Sequence, residues 1–358
     1  MFSALAHLLK PWWHAAAGMV LVIATTGAPA QIFPGREWET SADVLAAGWS
    51  ADKLEAASAF TRSSLRSQSW MLVHRGVVIH HYGEVGVVSN IASSRKSVLS
   101  ILIGMEVDKG GFALDRTLAE LGIDDRDKLT DVEKTATVRQ LLQARSGIYH
   151  PSAYEAADMK RGRPARGTFK PGENFNYNNW DFNALGTIYR QTTGRTVFES
   201  LRDQLARPLQ MQDYELATGG YDVTEPMSVH PAYLMRMSTR DMARIGLLMS
   251  RGGTWNGQQL VSRRWVDEST TAYSTIRPGS GYGYMWWVGI SDIYAAKLKF
   301  PGRVFLAVGN LGQYLVVDPV RDIVFVHKFN FEGMQSGEVT LPQFVDLLSR
   351  VLDARIEP

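Results

Sequence analysis

The chain has 358 residues, 45% hydrophobic and 21% charged, an ordinary globular composition that excludes a disordered or low-complexity protein. Formal net charge is +2; residues 1–30 hold Lys10 but no Arg, Asp or Glu, so the remainder sets 37 of the 38 basic side chains against 36 acidic ones and makes no electrostatic case for nucleic acid. The absence of cysteine excludes thiolate nucleophiles, Cys-ligated zinc, disulfides and a lipoprotein cysteine anchor.

Residues 1–30 read as an export signal: Lys10 precedes the apolar stretch Ala15 to Ala24, and Ala28-Pro29-Ala30 supplies small residues for cleavage before Gln31. The apolar run is short for a membrane span, although an uncleaved N-terminal anchor is the alternative. The expected location is therefore periplasmic or secreted. Ser50 then caps a helix carrying Leu54, Ala56, Ala57 and Phe60. Trp70 to His74 and Val77 to Tyr82 flank Arg75-Gly76 as a β-hairpin. An apolar helical run extends from Ser93 to about Asp108 and ends at Gly110-Gly111. Helices follow over Val138 to Ala144, Asp181 to Thr193, Val197 to Leu205 and Thr239 to Arg251.

Gly279-Ser280-Gly281-Tyr282-Gly283 reads as a turn, after which strands are expected over Tyr284 to Ile290, Arg303 to Val308, Tyr314 to Val317 and Ile323 to Phe329. A last amphipathic helix runs from Pro342 to about Ala354. No linker, charge block or repeat divides residues 31–358, so one α+β unit with two lobes is expected. An antiparallel sheet from about 31–90 and 280–358, flanked by the terminal helices, forms one lobe. A mainly helical lobe spans about 91–279, and the crevice between them is the expected site.

Ser93-Ser94-Arg95-Lys96 carries the chemistry. A serine hydroxyl is a poor nucleophile at neutral pH and needs a base within hydrogen-bond reach. Lysine serves when burial or a neighbouring cation lowers its pKa. The i, i+3 spacing puts Ser93 and Lys96 on one helical face, and a helix N-terminus adds backbone N–H groups that favour developing negative charge. Downstream, Tyr177 offers a phenol able to pass a proton between serine, lysine and leaving group. Each residue also has a structural reading: Ser93 as a helix cap, Tyr177 as a half-buried aromatic, Asn179 as a turn residue. Ser50-Ala51-Asp52-Lys53 fits the same spacing and is a cap.

In this order the elements resemble the serine β-lactamase and penicillin-binding-protein superfamily, in particular the class C-like serine hydrolases. Ser93 to Lys96 matches the Ser-x-x-Lys motif and Tyr177 to Asn179 the Tyr-x-Asn motif. Their surroundings, Pro171-Gly172-Glu173-Asn174-Phe175-Asn176, Leu185-Gly186, Pro208-Leu209-Gln210-Met211, Arg145-Ser146-Gly147-Ile148 and Ser238 to Arg244, are similar to family landmarks. The resemblance implies a β-lactamase/transpeptidase-like fold, an acyl-enzyme on Ser93, Lys96 and Tyr177 as a coupled base, and Asn179 orienting Lys96 and the substrate. It also implies an oxyanion hole from the backbone N–H groups of Ser93 and Asn310, with Gly309 giving close backbone approach.

The third family motif, Lys-Thr-Gly or His-x-Gly, is represented by Ala307-Val308-Gly309, which lacks the cation or imidazole that helps hold a substrate carboxylate in lactam-active relatives. Unless Arg145, Lys297, Lys299 or Arg303 reaches in, a simple ester or amide is a better substrate than a penicillin.

A β-lactamase or D-Ala-D-Ala-type carboxypeptidase, and a non-catalytic peptidoglycan or peptide sensor on the same fold, are the alternatives. A histidine triad through His150 is the other enzymatic reading, but no Gly-x-Ser-x-Gly elbow is present. There is no His-Glu-x-x-His, and His80-His81 point to opposite faces of a strand, so no metal or other cofactor is expected. The aromatic run Tyr282, Tyr284, Trp286 and Trp287 reads as core before it reads as crevice lining. The expected partner is a small ester, amide or peptide; oligomeric state is left open.

Overall fold

The computed structural model describes residues 31–332 and 337–356; the proposed export signal lies outside them. Eight strands, numbered in chain order, form the main sheet: β1 (Ser69–His74), β2 (Val77–Gly83), β3 (Ser274–Arg277), β4 (Ser280–Tyr282), β5 (Trp287–Gly289), β6 (Phe305–Gly309), β7 (Gln313–Asp318) and β8 (Ile323–Lys328). Their spatial order is β2-β1-β8-β7-β6-β5-β4-β3, antiparallel throughout, so the N-terminal hairpin pairs with the last strand of the chain. Arg75 and Gly76 both adopt positive φ, the backbone that a two-residue hairpin loop of matching twist requires.

Side-chain alternation divides the sheet between two cores. Met71, Val73, Phe305, Ala307, Leu315, Val317, Val324 and Val326 join one apolar cluster, while Trp70, Leu72, Leu306, Tyr314, Val316, Ile323 and Phe325 join the other. The longer helices, also numbered in chain order, cover these faces: α1 (Ala51–Ser64), α2 (Arg95–Asp108), α3 (Asn179–Thr193), α4 (Thr239–Ser250) and α5 (Leu341–Leu352). The first cluster takes in residues of α2, α3 and α4, and the second those of α1 and α5. Phe344, Val345, Leu347, Leu348 and Val351 give α5 its buried stripe, and each such side chain contributes about 1.5–3 kcal/mol on burial. No helix among the described residues is long and apolar enough to cross a membrane.

Several elements depart from their sequence pattern. The glycine-rich segment expected as a turn supplies strand β4, paired with β5 on one side and the edge strand β3 on the other, with Gly279 at φ 80° turning the chain from β3. The strand expected over Tyr284 to Ile290 shortens to Trp287–Gly289 because Met285, at φ 60°, is drawn off the sheet. Its N–H donates to the Leu142 carbonyl and its own carbonyl accepts from Ser97 Oγ. Tyr284 and Trp286 thereby enter the core. The helix expected over Val197 to Leu205 is α-helical only over Val197–Ser200 and widens to a π-helix over Leu201–Ala206. Ser50 caps α1 through a bond accepted from the Lys53 N–H.

The loop after β6 is pinned from β8. His327 Nδ1 lies 2.8 Å from the Gly312 carbonyl, which can only accept, so Nδ1 carries the proton and Nε2 accepts from Ser67 Oγ at 2.7 Å. Burial lowers its pKa to about 4. As pH falls from 6.5 towards 4, the unfolded chain takes up a proton that folded His327 refuses, so stability falls through that window by as much as about 3 kcal/mol for this residue. Urea unfolding between pH 7 and 4 should therefore show a shallower loss of stability in His327→Gln than in the wild type; an unchanged slope would remove His327 from this account.

Candidate active site

Ser93, the expected nucleophile, sits in a short turn held by residues distant in sequence. Ser93 lies in the 3-10 turn Ala92–Ser94 that leads into α2, one turn earlier than the α-helix proper, and its hydroxyl caps nothing. Ala92 holds φ 47°, a left-handed backbone unfavourable for a residue with a Cβ. It is fixed from both sides, since its N–H donates to Asn90 Oδ1 at 2.8 Å and its carbonyl accepts from Arg95 Nη1 at 3.1 Å. Asn90 is fixed in turn by a bond from its N–H to Glu332 Oε2, and Glu332 pairs with Arg236 on the strand beside it.

Lys96 lies one turn along from Ser93, 1% exposed, its Nζ 3.0 Å from Ser93 Oγ and 2.5 Å from Tyr177 OH. The amine also lies over the rings of Tyr177 and Phe182, at 4.2 and 4.6 Å from their centroids. Burial, seconded by the Arg95 guanidinium, holds its pKa well below the usual lysine range. The same burial pushes Tyr177 up to about 12. A neutral amine beside a neutral phenol is the protonation state these shifts favour, and in that state the amine has a lone pair for the serine proton.

Arg95 is the cation that the sequence reading passed over. It is fully buried, stacked between Tyr154 and Tyr233 at 5.1 and 5.3 Å from their centroids, with Nε and Nη2 without partners among the described residues.

Gly309 ends β6 where that strand passes the nucleophile turn. A Cβ there would stand 2.4 Å from the Ile91 carbonyl oxygen and 2.8 Å from Gln313 Cβ, so only glycine permits this approach. The next residue, Asn310, lines the same crevice as Ser93, Tyr177 and Asn179, a space of about 510 Å3 also walled by Trp287, Val308 and Phe331. Of the aromatic run, Trp287 alone lines it, while Tyr282, Tyr284 and Trp286 are core.

Asn179 departs from its expected role. Its Nδ2 donates to the Tyr154 carbonyl at 2.6 Å and points at that of Ala153 at 3.5 Å, so it bonds this loop and not Lys96. Tyr154, at φ 63°, also accepts from Asn90 Nδ2 on its hydroxyl and so links Asn90 to Asn179. His150 makes no bond to Ser93; it is buried against Trp180, with Nε2 3.5 Å from Glu133. None of the four cations that stood as replacements for the third motif lines the crevice. Arg145 is spent on the Gly172 carbonyl and Ser274, Lys297 on Asp346 and Arg303 on Asp267, while Lys299 ends a surface helix.

Asn90, Arg95, Tyr154 and Glu332 were missed from sequence. Asn90 alone had a local signal, an Asn two residues before the amide its side chain accepts from.

Several solved structures share the fold. A putative 6-aminohexanoate-dimer hydrolase from Bacillus anthracis superposes with a TM-score of 0.63 at 17% identity over 87% of this chain and 86% of its own. A putative beta-lactamase from Bacteroides dorei gives 0.64 at 15% identity over 85% and 99%. A penicillin-binding protein homologue from Caulobacter crescentus gives 0.62 at 16% over 88% and 98%. In sequence, an uncharacterized protein of Alkalihalophilus pseudofirmus is 24% identical over 274 residues, 69% of this chain and 75% of that one. The family described as Beta-lactamase matches residues 58–348, and with most of the length so covered the chain belongs to the beta-lactamase family.

Proposed function

We propose that the protein is a serine hydrolase that cleaves a small ester or amide through an acyl-enzyme on Ser93, and that residues 1–30 direct it out of the cytoplasm. The observation that carries this reading is the hydrogen-bonded chain Ser93 Oγ, Lys96 Nζ, Tyr177 OH, sealed at its lysine and open at its serine. Lys96 takes the serine proton as the hydroxyl attacks the carbonyl; Tyr177, protonated and 2.5 Å from the amine, relays a proton to the leaving group and is restored from Lys96. Water then attacks the acyl-enzyme through the same pair. The negative oxygen of each tetrahedral intermediate falls to the backbone N–H groups of Ser93 and Asn310. The absence of Lys and Arg among the described residues that line the crevice speaks against a penicillin or a peptide carboxylate as the preferred ligand.

The first test is hydrolysis of a short-chain p-nitrophenyl ester with intact-mass detection of the adduct. Ser93→Ala should abolish the adduct, and Ser93→Ala and Lys96→Ala should each lower kcat/KM by about a thousand-fold or more. Turnover surviving in Ser93→Ala would sink the mechanism. Gly309→Ala should cost about a hundred-fold or more in kcat, because the new methyl displaces Ile91 and with it the oxyanion geometry; wild-type kcat in that variant would refute the close approach. Arg95→Met removes a cation that adds to burial in lowering the Lys96 pKa, so the acid limb of the kcat/KM profile should move to higher pH. Because it also removes a buried charge with no carboxylate partner among the described residues, stability should hold or rise. A limb that stays in place would separate Arg95 from the base.

A further inference from the structure

A hollow of about 340 Å3 lies on the α5 face of the main sheet and has no part in the mechanism above. It is lined by Leu306, Tyr314, Phe344 and Val345, all from the core beneath α5, and by Trp287 and Val308. Protein interiors leave few voids larger than a water molecule, and α5 packs closely beside this one, the Phe344 ring stacked on Tyr314 with centroids 3.9 Å apart. A space of this size, walled by apolar and aromatic side chains, suits a small molecule and offers water few partners. Trp287 and Val308 line the crevice as well. Trp287 packs against both apolar clusters, 5.5 Å from the Tyr177 ring between centroids, so its indole is common to the hollow and to the surroundings of the proposed base.

A second, independent feature bears on the head group of such a molecule. Arg277, the last residue of β3, is the one charged side chain lining the hollow among the described residues, so no carboxylate of theirs lines it. Its side chain is exposed and makes no ion pair among the described residues. An apolar lining beside a free guanidinium matches a molecule divided in the same way, an alkyl chain ending in an anion, and the fork of the guanidinium fits a planar carboxylate best.

We propose that this hollow is a binding site for a medium-chain carboxylate, the alkyl chain against Leu306, Tyr314 and Phe344 and the head on Arg277, separate from the reacting crevice and sharing the Trp287 wall with it. The assignment does not depend on the serine hydrolase reading, since neither Ser93 nor Lys96 nor Tyr177 lines the hollow. An alkylammonium of the same length meets Arg277 as a like charge, and a shorter chain leaves part of the apolar wall uncovered, so the site discriminates by head group and by length.

The test is titration of Ser93→Ala with hexanoate, octanoate, decanoate and decylammonium, followed by calorimetry and by tryptophan emission. Affinity should rise about three- to four-fold per methylene along the carboxylate series, and decylammonium should bind about ten-fold or more weakly than decanoate. Arg277→Glu, at an exposed side chain, should reverse the preference between the two heads. Val345→Trp, which fills the hollow, should abolish binding of both, and Trp287→Phe should remove most of the emission change while calorimetry still reports binding. Absence of binding, affinity indifferent to chain length, or a head-group preference that survives Arg277→Glu overturns the inference. So does decanoate that inhibits a short-chain ester in the wild type by strict competition and does so equally in Arg277→Glu, because that places it in the crevice. Binding with the expected preferences in a protein that turns over no ester upholds this site and removes the hydrolase reading alone.

Discussion

A lysine amine enclosed by aromatic rings and backed by a buried guanidinium is a costly arrangement, and much of the surrounding structure serves to keep it. Two cationic groups on adjacent residues, both out of water and neither with a carboxylate partner among the described residues, would favour unfolding if both were charged. Burial, seconded by the Arg95 charge, lowers the lysine's pKa and so favours its neutral form, while the arginine's charge lies over two aromatic faces. In the proposed mechanism the strength of this base is set by its enclosure, and the rings of Tyr154 and Tyr233, which hold Arg95, act on it without touching the reacting atoms.

The second constraint is steric. Strand β6 and the nucleophile turn approach so closely that a single missing Cβ, at Gly309, decides whether they fit. The family's third motif combines a cation and a glycine, and in this chain the two have separated: the backbone requirement is retained while the side chain has become Ala307. The cation beside Lys96 in the helix, Arg95, is buried over the rings of Tyr154 and Tyr233 and does not line the crevice. The structure therefore separates what acyl transfer needs, a close backbone and a neutral amine, from what recognition of one ligand class needs.

How much of this was legible in the sequence follows from the range of each interaction. The hairpin, the cap of α1 and the Ser93 to Lys96 pair depend on residues within a turn of one another, and local pattern reads such contacts well. Tyr177 was reached through its motif, 81 residues away from the lysine it bonds. Glu332, 242 residues from Asn90, and Tyr154, 64 residues from it, had no local mark. The strand pattern over Tyr284 to Ile290 misled for a related reason: alternation reports what a segment can bury, whereas the Leu142 carbonyl and Ser97 decided where Met285 went. Asn179 shows the limit most clearly, since the sequence places an amide at the site but only the carbonyls of Ala153 and Tyr154 determine which way it is turned.

The alternation along β6 has an evolutionary consequence. Phe305 and Ala307 face the core shared with α2, whereas Leu306 belongs to the core beneath α5. Residues under α5 can therefore drift, repack and gain or lose volume while the side chains that support Ser93 keep their neighbours. What such drift can transmit is a displacement of the strand backbone itself, felt at Gly309. A lineage on this scaffold is thus free to trade thermal tolerance on one face of the sheet against ligand choice at the strand's end with little interference between the two.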